Sequence, residues 1–118
     1  MNFNNLTIKV QEAFQRAQQV SMENGQQALE VGHLLKGLLD VDDSVTPFAF
    51  KKLGVHYNAV KQATDRIVQS YPKVNGGNFY FSRPATEAVQ KAGLYLKEFG
   101  DEYIALEHLL LGILSVQE

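Results

Sequence analysis

His33-Leu-Leu-Lys-Gly-Leu-Leu39 is the segment that decides the fold, because it returns 75 residues later as His108-Leu-Leu-Leu-Gly-Ile-Leu114. Both segments are apolar on nearly every side, as a helix that packs inside a bundle should be. We therefore expect two central helices in equivalent positions of an all-α fold.

The likeness between the two segments extends toward the amino terminus, and residues 6–39 align with residues 81–114 without a gap. Eleven positions are identical in the two copies: Glu12/Glu87, Ala13/Ala88, Gln15/Gln90, Ala17/Ala92, Glu23/Glu98, Gly25/Gly100, His33/His108, Leu34/Leu109, Leu35/Leu110, Gly37/Gly112 and Leu39/Leu114. Self-similarity at a fixed offset is the signature of a duplicated structural unit. The sequence thus predicts a compact helical bundle built from two pseudo-symmetric repeats.

Each copy opens with the pattern of a capped amphipathic helix. Thr7 and Ser82 stand at equivalent N-cap positions, where a hydroxyl can accept a hydrogen bond from an amide of the first turn. Gly25 and Gly100 are expected to end these helices in the left-handed conformation. Apolar residues recur at steps of three and four between these signals: Leu6, Val10, Ala13, Phe14 and Ala17 in copy one, and Ala85, Ala88, Val89, Ala92 and Leu96 in copy two.

The segment between the copies predicts two more helices, at residues 44–54 and 57–70. The second of these has five residues spaced to face inward: Val60, Ala63, Thr64, Ile67 and Val68. Residues 79–81, Phe-Tyr-Phe, either pair as a brief strand or pin the preceding chain to the bundle, and we favour the pin. The last helix is expected to be incompletely covered, since copy two stops after its second helix.

These elements define one domain over residues 1–118. Repeat one occupies about residues 6–71, a linker follows at residues 72–80, and the truncated repeat two occupies residues 81–118.

Composition limits the classes of partner. The 118 residues carry a formal net charge of -2 and show no basic stripe, so neither nucleic acid nor a membrane surface is expected as a partner. The longest apolar run, at residues 109–114, is far below the roughly eighteen residues that a membrane span needs. The chain has no cysteine, and the cytoplasm is the default location.

Histidines beside carboxylates raise the question of a metal or acid–base site. Glu30 precedes His33 by three residues, and Glu107 directly precedes His108. Because both histidines occupy the same repeat position at the start of an apolar helix, we interpret them as structural groups that hydrogen-bond a neighbouring turn. Asn75-Gly-Gly-Asn78 lacks the lysine of a phosphate-binding loop. We therefore expect no catalytic residue, no metal and no cofactor in this domain.

The two copies of a capped helix followed by His-Leu-Leu-x-Gly-(Leu/Ile)-Leu resemble the Clp N-terminal repeat found at the front of Clp-family AAA+ chaperones. The opening Leu6-Thr-Ile-Lys-Val-Gln-Glu-Ala13 and the linker Tyr71-Pro-Lys-Val-Asn-Gly-Gly77 look more like the ClpB type than the protease-coupled ClpC or ClpA types. The resemblance implies a mobile substrate-recognition domain of a hexameric disaggregase that cooperates with a DnaK-type chaperone. It also implies that ATP is bound by two ATPase rings outside this domain.

The same resemblance implies which residues engage unfolded or aggregated protein. The polar residues are Thr7, Asp101 and Glu107, and the expected contributors to an apolar groove are Phe14, Val89 and Leu94. The residues themselves leave simpler interpretations open. Thr7 is equally explained as a helix cap, and Asp101 and Glu107 as solvated carboxylates near helix starts. The apolar stripe that includes Phe14 and Val89 is equally explained as part of the core.

Three candidate functions differ in the partner that each would bind. A client-binding module would prefer unfolded chains. An adaptor-docking module of the ClpC or ClpA type would be saturated by one native partner. An enzyme would need a nucleophile or a metal-ligand set, and the sequence offers neither.

Overall fold

The computed structural model describes residues 5–74 and 77–116. In chain order the elements are α1 (Ile8–Glu23), β1 (Ala28–Leu29), α2 (Val31–Val41), α3 (Val45–Leu53), α4 (Tyr57–Ser70), β2 (Tyr80–Phe81), α5 (Arg83–Glu98) and α6 (Leu106–Leu114). The expected all-α fold is confirmed, with one small parallel pair of strands added to it.

Both predicted N-caps are confirmed. The Thr7 hydroxyl accepts a hydrogen bond from the Val10 amide at 3.3 Å, and the Ser82 hydroxyl accepts one from the Ala85 amide at 3.1 Å. The predicted glycine stops are confirmed as well, because Gly25 after α1 has φ 66° and Gly100 after α5 has φ 71°, both in the left-handed region.

The core consists of two tightly packed helix pairs, α1 against α2 and α5 against α6. The glycine of each repeated motif sits where the pair approaches most closely. A Cβ at Gly37 would lie 2.2 Å from the Ala13 carbonyl oxygen, and a Cβ at Gly112 would lie 2.2 Å from the Ala88 carbonyl oxygen. The helix backbones touch at these points, and no side chain fits between them.

The two copies are joined by an exchange of hydrogen bonds. The Thr7 amide of copy one donates to the Ile104 carbonyl of copy two at 3.0 Å, and the Ser82 amide of copy two donates to the Leu29 carbonyl of copy one at 2.9 Å. Thr7 and Ser82 are repeat equivalents, and so are Leu29 and Ile104. Each copy therefore ties the start of its first helix to the link between the two helices of the other.

The predicted pin at residues 79–81 needs a correction. Residues 80 and 81 pair in parallel with residues 28 and 29, so the strand alternative holds. The Phe81 ring also packs against the core, with its centroid 6.2 Å from that of Phe14. The pairing arises because the link of copy one lies beside the start of α5. Residues 75 and 76 of the linker lie outside the described residues.

Helix α4 packs on α2 over a narrower face than its pattern predicts. Thr64 and Val68 are buried, as predicted, and Val60 and Ala63 are half-buried. Ile67 is exposed, and the prediction that it faces inward is wrong. α4 lies at the margin of the bundle, and Ile67 lies beside Gly32 at the start of α2, a residue that has no side chain to cover it.

Candidate functional site

The polar residues implied by the resemblance lie along one edge, which we call the polar edge (Thr7, Asp101 and Glu107). The Thr7 amide bonds to Ile104, which stands between the two carboxylates in the link from α5 to α6. The Ile104 amide in turn donates to the Asn5 carbonyl at 2.7 Å. Thr7 is half-buried, and both carboxylates are exposed. Backbone pairing thus brings together residues that are about a hundred positions apart in the chain.

Asp101 is held in place by a buried histidine. Its Oδ2 lies 2.9 Å from Nε2 of His108. The other ring nitrogen, Nδ1, accepts the Ala105 amide at 2.8 Å, which leaves Nε2 to carry the hydrogen and donate it to the carboxylate. The prediction that His108 hydrogen-bonds a neighbouring turn is confirmed. Glu107 occupies the first turn of α6, where the helix dipole favours a negative charge.

The equivalent position in copy one uses a neutral partner. His33 Nδ1 accepts the Glu30 amide at 2.9 Å, and its Nε2 lies 2.6 Å from Oε1 of Gln26, the repeat equivalent of Asp101. Burial lowers the pKa of His33 from 6.5 to about 4. This imidazole is therefore neutral near pH 7.

The end of α4 closes this part of copy one. The Tyr71 hydroxyl accepts the Gly32 amide at 3.1 Å, and the Gln26 amide nitrogen donates to the Val68 carbonyl at 2.7 Å. Gly32 is the repeat equivalent of Glu107. The pair of carboxylates, Asp101 and Glu107, therefore exists in copy two alone. The alignment of the two repeats shows this difference in the sequence, because copy one has Gln26 and Gly32 at the equivalent positions.

The expected groove residues do not share one surface. Val89 is 4% exposed and belongs to the hydrophobic core. Phe14 is half-buried against Phe81. Leu94 is 66% exposed. It lies about 17 Å along α5 from Arg83, the first residue of that helix, whereas Phe14 contacts Phe81, which precedes the helix. The structure therefore places Val89 away from any groove wall and separates the other two.

Leu94 instead borders a cleft of about 260 Å³ with four other residues. These are Lys91, Tyr95, Glu98 and Ser115. The Lys91 ammonium donates to the Ser115 carbonyl at 3.0 Å, and the Tyr95 and Ser115 hydroxyls lie 3.0 Å apart. The cleft is therefore walled by ordered polar groups with one apolar side chain at its rim.

Exposed apolar side chains flank the polar edge, and the sequence reasoning missed them. Ile8 follows Thr7, and Phe99 and Tyr103 lie in or next to the link that carries Asp101. The Phe99 ring is anchored by contact with the His108 ring, at 5.9 Å between centroids. Apolar residues without helical spacing in a polar link were the signal that could have identified them.

Metal sites and membrane-spanning helices are absent from residues 5–74 and 77–116. These residues include no cluster of three histidine or carboxylate side chains that could hold a metal ion. Among the helices formed by the same residues, none has the length and apolar character needed to cross a membrane.

Known proteins resemble this chain over nearly its whole length. Residues 5–118 match the family of the Clp repeat (R) N-terminal domain. The chain belongs to this family. The Clp repeat domain described here is 49% identical over 117 residues to the chaperone protein ClpB of Bacteroides thetaiotaomicron and 39% identical to that of Porphyromonas gingivalis. Each match covers 99% of this chain and 14% of the relative, so the chain spans about one seventh of their length.

Solved Clp N-domains share the fold. The N-terminal domain of Hsp104 from Candida albicans matches with a TM-score of 0.87 at 18% identity, covering 97% of this chain and 76% of that one. The ClpV N-domain in complex with a VipB peptide matches with a TM-score of 0.80 at 23% identity, covering 96% and 69%. The resemblance to the Clp repeat family, and within it to ClpB, is confirmed.

Proposed function

We propose that this domain is the N-terminal substrate-recognition module of an ATP-dependent protein disaggregase of the ClpB type. In this role it engages unfolded or aggregated polypeptide and passes it to the ATPase rings of the full-length protein. The observation that carries the proposal is the polar edge, where two exposed carboxylates stand beside apolar side chains open to solvent.

The chemistry of the polar edge suits a client without fixed structure. Unfolded polypeptide offers apolar side chains, basic side chains and unpaired backbone amides. Phe99 and Tyr103 can contact the first of these, and Asp101 and Glu107 can attract the other two. The area offered is small, so the contact is weak and released quickly, as a module that hands over its client requires.

The rest of the proposal concerns the full-length protein. It forms a cytoplasmic hexamer, cooperates with a DnaK-type chaperone and binds ATP in rings outside this domain. The domain itself catalyses no reaction and needs no cofactor. The 49% identity to a chaperone protein ClpB over 99% of the chain supports this assignment.

The test is an amide chemical-shift titration of the domain with a permanently unfolded protein, followed by the same protein in its folded form. Shifts at Thr7, Asp101 and Glu107 with the unfolded chain alone are the expected result. Absence of shifts with both forms would reject client binding.

The repeat supplies a matched control for this titration. Thr7→Ala combined with Asp101→Ala removes groups at the polar edge, whereas Ser82→Ala removes the equivalent cap at the other end of the exchanged contacts. Either cap loss costs about 1 kcal/mol of stability, and Asp101→Ala adds about 1–3 kcal/mol because it leaves the buried Nε2–H of His108 without its acceptor. Only the first variant should lose client binding while it keeps its helical circular dichroism. Equal losses in both variants would mean that Thr7 and Asp101 act through stability alone.

Adaptor docking, as in ClpC- or ClpA-type unfoldases coupled to a protease, is the second candidate. It is favoured by one fold neighbour, the ClpV N-domain, which forms a complex with a VipB peptide. An adaptor-docking domain would bind one native protein to saturation and ignore denatured chains. Competition between a denatured client and a folded partner in the titration therefore separates the two functions.

A further inference from the structure

Helix α3 presents a surface that the proposed function does not use. Phe48 is 64% exposed and Leu53 is 75% exposed, and Lys51 and Lys52 between them are exposed as well. We call these four residues the basic face. The Lys52 ammonium lies 5.6 Å from the centroid of the Phe48 ring. Gly54 ends the helix with φ 71°, which fixes this face on an ordered element.

Among the described residues of the same chain, the two lysines of the basic face have no acidic partner. In the part of the chain that the structure describes, neither Lys51 nor Lys52 forms an ion pair, whereas Lys9, Lys36 and Lys91 each do. Both lysines lie in the last turn of α3, where the helix dipole favours their charge. The face thus combines two unpaired cations with two exposed apolar side chains.

A second surface has the opposite charge and the same apolar content. It comprises Glu98, Phe99, Asp101, Glu102 and Tyr103, all of them exposed, and we call it the acidic loop. Among described residues, the Asp101 carboxylate accepts the hydrogen bond of His108 Nε2, and Glu98 and Glu102 have no ion-pair partner. The left-handed Gly100 at φ 71° and the bond from the Asp101 amide to the Leu96 carbonyl at 3.0 Å order this loop.

We propose that the basic face of one copy of this chain docks on the acidic loop of a second copy. Two cations and two apolar side chains on one surface match two unpaired carboxylates and two aromatic side chains on the other. Both halves of the contact are ordered before association, which reduces the entropy lost on binding. The net charge of -2 leaves little overall repulsion between copies. Complementary potentials of this kind select partner and register.

The contact would cover part of the polar edge, since Asp101 lies within the acidic loop. Docking of a second copy and binding at Asp101 would therefore exclude each other. The inference itself does not depend on the proposed function, because self-association is measured with no client present.

The experiment measures self-association of the whole chain by sedimentation velocity and by concentration-dependent amide shifts, up to about 1 mM protein. Low salt of about 0.01 M preserves the charge contacts, and about 1 M salt screens them. We expect shifts confined to the two surfaces, and weaker association in high salt.

Charge reversal provides the decisive comparison. Lys51→Glu with Lys52→Glu makes both surfaces acidic, and Glu98→Lys with Glu102→Lys makes both basic. Each double variant alone should associate about tenfold or more weakly than the unchanged chain, because like charges then meet across the contact. An equimolar mixture of the two variants should regain association, since every acidic surface again finds a basic one.

Three results would overturn the inference. The first is an unchanged chain that stays monomeric over the whole concentration range. The second is a charge-reversed variant that associates as well as the unchanged chain, and the third is a mixture that regains nothing. Helical circular dichroism of both variants, whose altered residues are all exposed, confirms that the fold is intact.

Discussion

The buried imidazole of His33 donates its Nε2 hydrogen to the side-chain oxygen of Gln26 across 2.6 Å. The amide group of the same glutamine donates to the carbonyls of Val68 and Tyr71, at 2.7 and 3.3 Å. One glutamine side chain thus connects the start of α2 to the end of α4. Because it carries no charge, it cannot compensate a proton on His33, which is why burial lowers the pKa of that histidine to about 4.

This pairing makes stability depend on pH. In the unfolded chain His33 takes up a proton near pH 6.5, whereas in the folded chain it does so only near pH 4. The unfolded state therefore binds more protons between these values, and stability falls as the pH drops below 6.5. The free energy of unfolding, measured with urea, should be about 2 kcal/mol lower at pH 5 than at pH 8. In His33→Gln the difference between pH 5 and pH 8 should be smaller by about 2 kcal/mol. An unchanged difference would contradict the assignment of this pH dependence to His33.

The carboxylate of Asp42 is expected to stabilise α3. Burial by itself raises the pKa of Asp42, but hydrogen bonds from the Thr46 hydroxyl and from the backbone amides at the start of α3 outweigh burial and lower the pKa below 3.8. Asp42→Ala should cost about 1–3 kcal/mol at pH 7, measured by urea unfolding. The neighbouring Asp43 is exposed, and Asp43→Ala should change stability by less than about 0.5 kcal/mol.

The lowered pKa of Asp42 also gives the direction of an acid effect. As the pH falls, the unfolded carboxyl binds a proton near 3.8 before the folded one does. The stabilisation by Asp42 is therefore complete above this range and is lost as the pH falls through the lower folded value. The difference in stability between the unchanged chain and Asp42→Ala should narrow below about pH 4. A difference that stays constant to pH 2 would show that the charge contributes nothing.

The motif glycines offer a test of helix contact. Gly37→Ala and Gly112→Ala each place a methyl group 2.2 Å from a backbone carbonyl oxygen, so the helices must separate at a cost of about 3 kcal/mol. Gly93, inside α5, has no atom within 4 Å of an added Cβ. Gly93→Ala should stabilise the domain by about 0.5–1 kcal/mol. Thermal unfolding monitored by circular dichroism measures all three, and similar effects at the three positions would contradict the close approach.

Repeat-equivalent leucines should differ sharply in their contribution to stability. Leu39 is 3% exposed, and its carbonyl accepts the Tyr57 hydroxyl at 3.1 Å, so α4 covers the end of α2. Its equivalent Leu114 is 67% exposed in α6. Leu39→Ala should cost about 2–5 kcal/mol, whereas Leu114→Ala should cost less than about 0.5 kcal/mol by urea unfolding. Equal costs would mean that Leu114 is covered in solution.

Local signals in the sequence were sufficient for the helix boundaries. A hydroxyl at Thr7 or Ser82 and a glycine at position 25 or 100 act on the backbone of their own turn, so their roles do not depend on distant residues. The apolar periods of α1 and α5 were equally reliable, because each helix buries a full face.

The errors concern contacts that depend on neighbours. Ile67 fits an inward pattern, yet it lies beside Gly32 of α2, which has no side chain to cover it, and Val89 is buried in the core rather than left on a groove. Residues 80 and 81 pair only because residues 28 and 29 lie beside them. The apolar side chains around Asp101 were missed for the same reason, since exposure is a property of the assembled surface.

The exchanged hydrogen bonds between the copies, Thr7 with Ile104 and Ser82 with Leu29, have a consequence for how the domain holds together. Two separate chains, each carrying one copy, could make both bonds by a two-fold rotation, as a symmetric homodimer does. The connection through residues 72–80 turns that bimolecular association into an intramolecular one with a high effective concentration. The domain behaves as a tethered dimer. The contact between the two repeats is independent of dilution while the connection is intact, and cleavage there would make this contact depend on protein concentration.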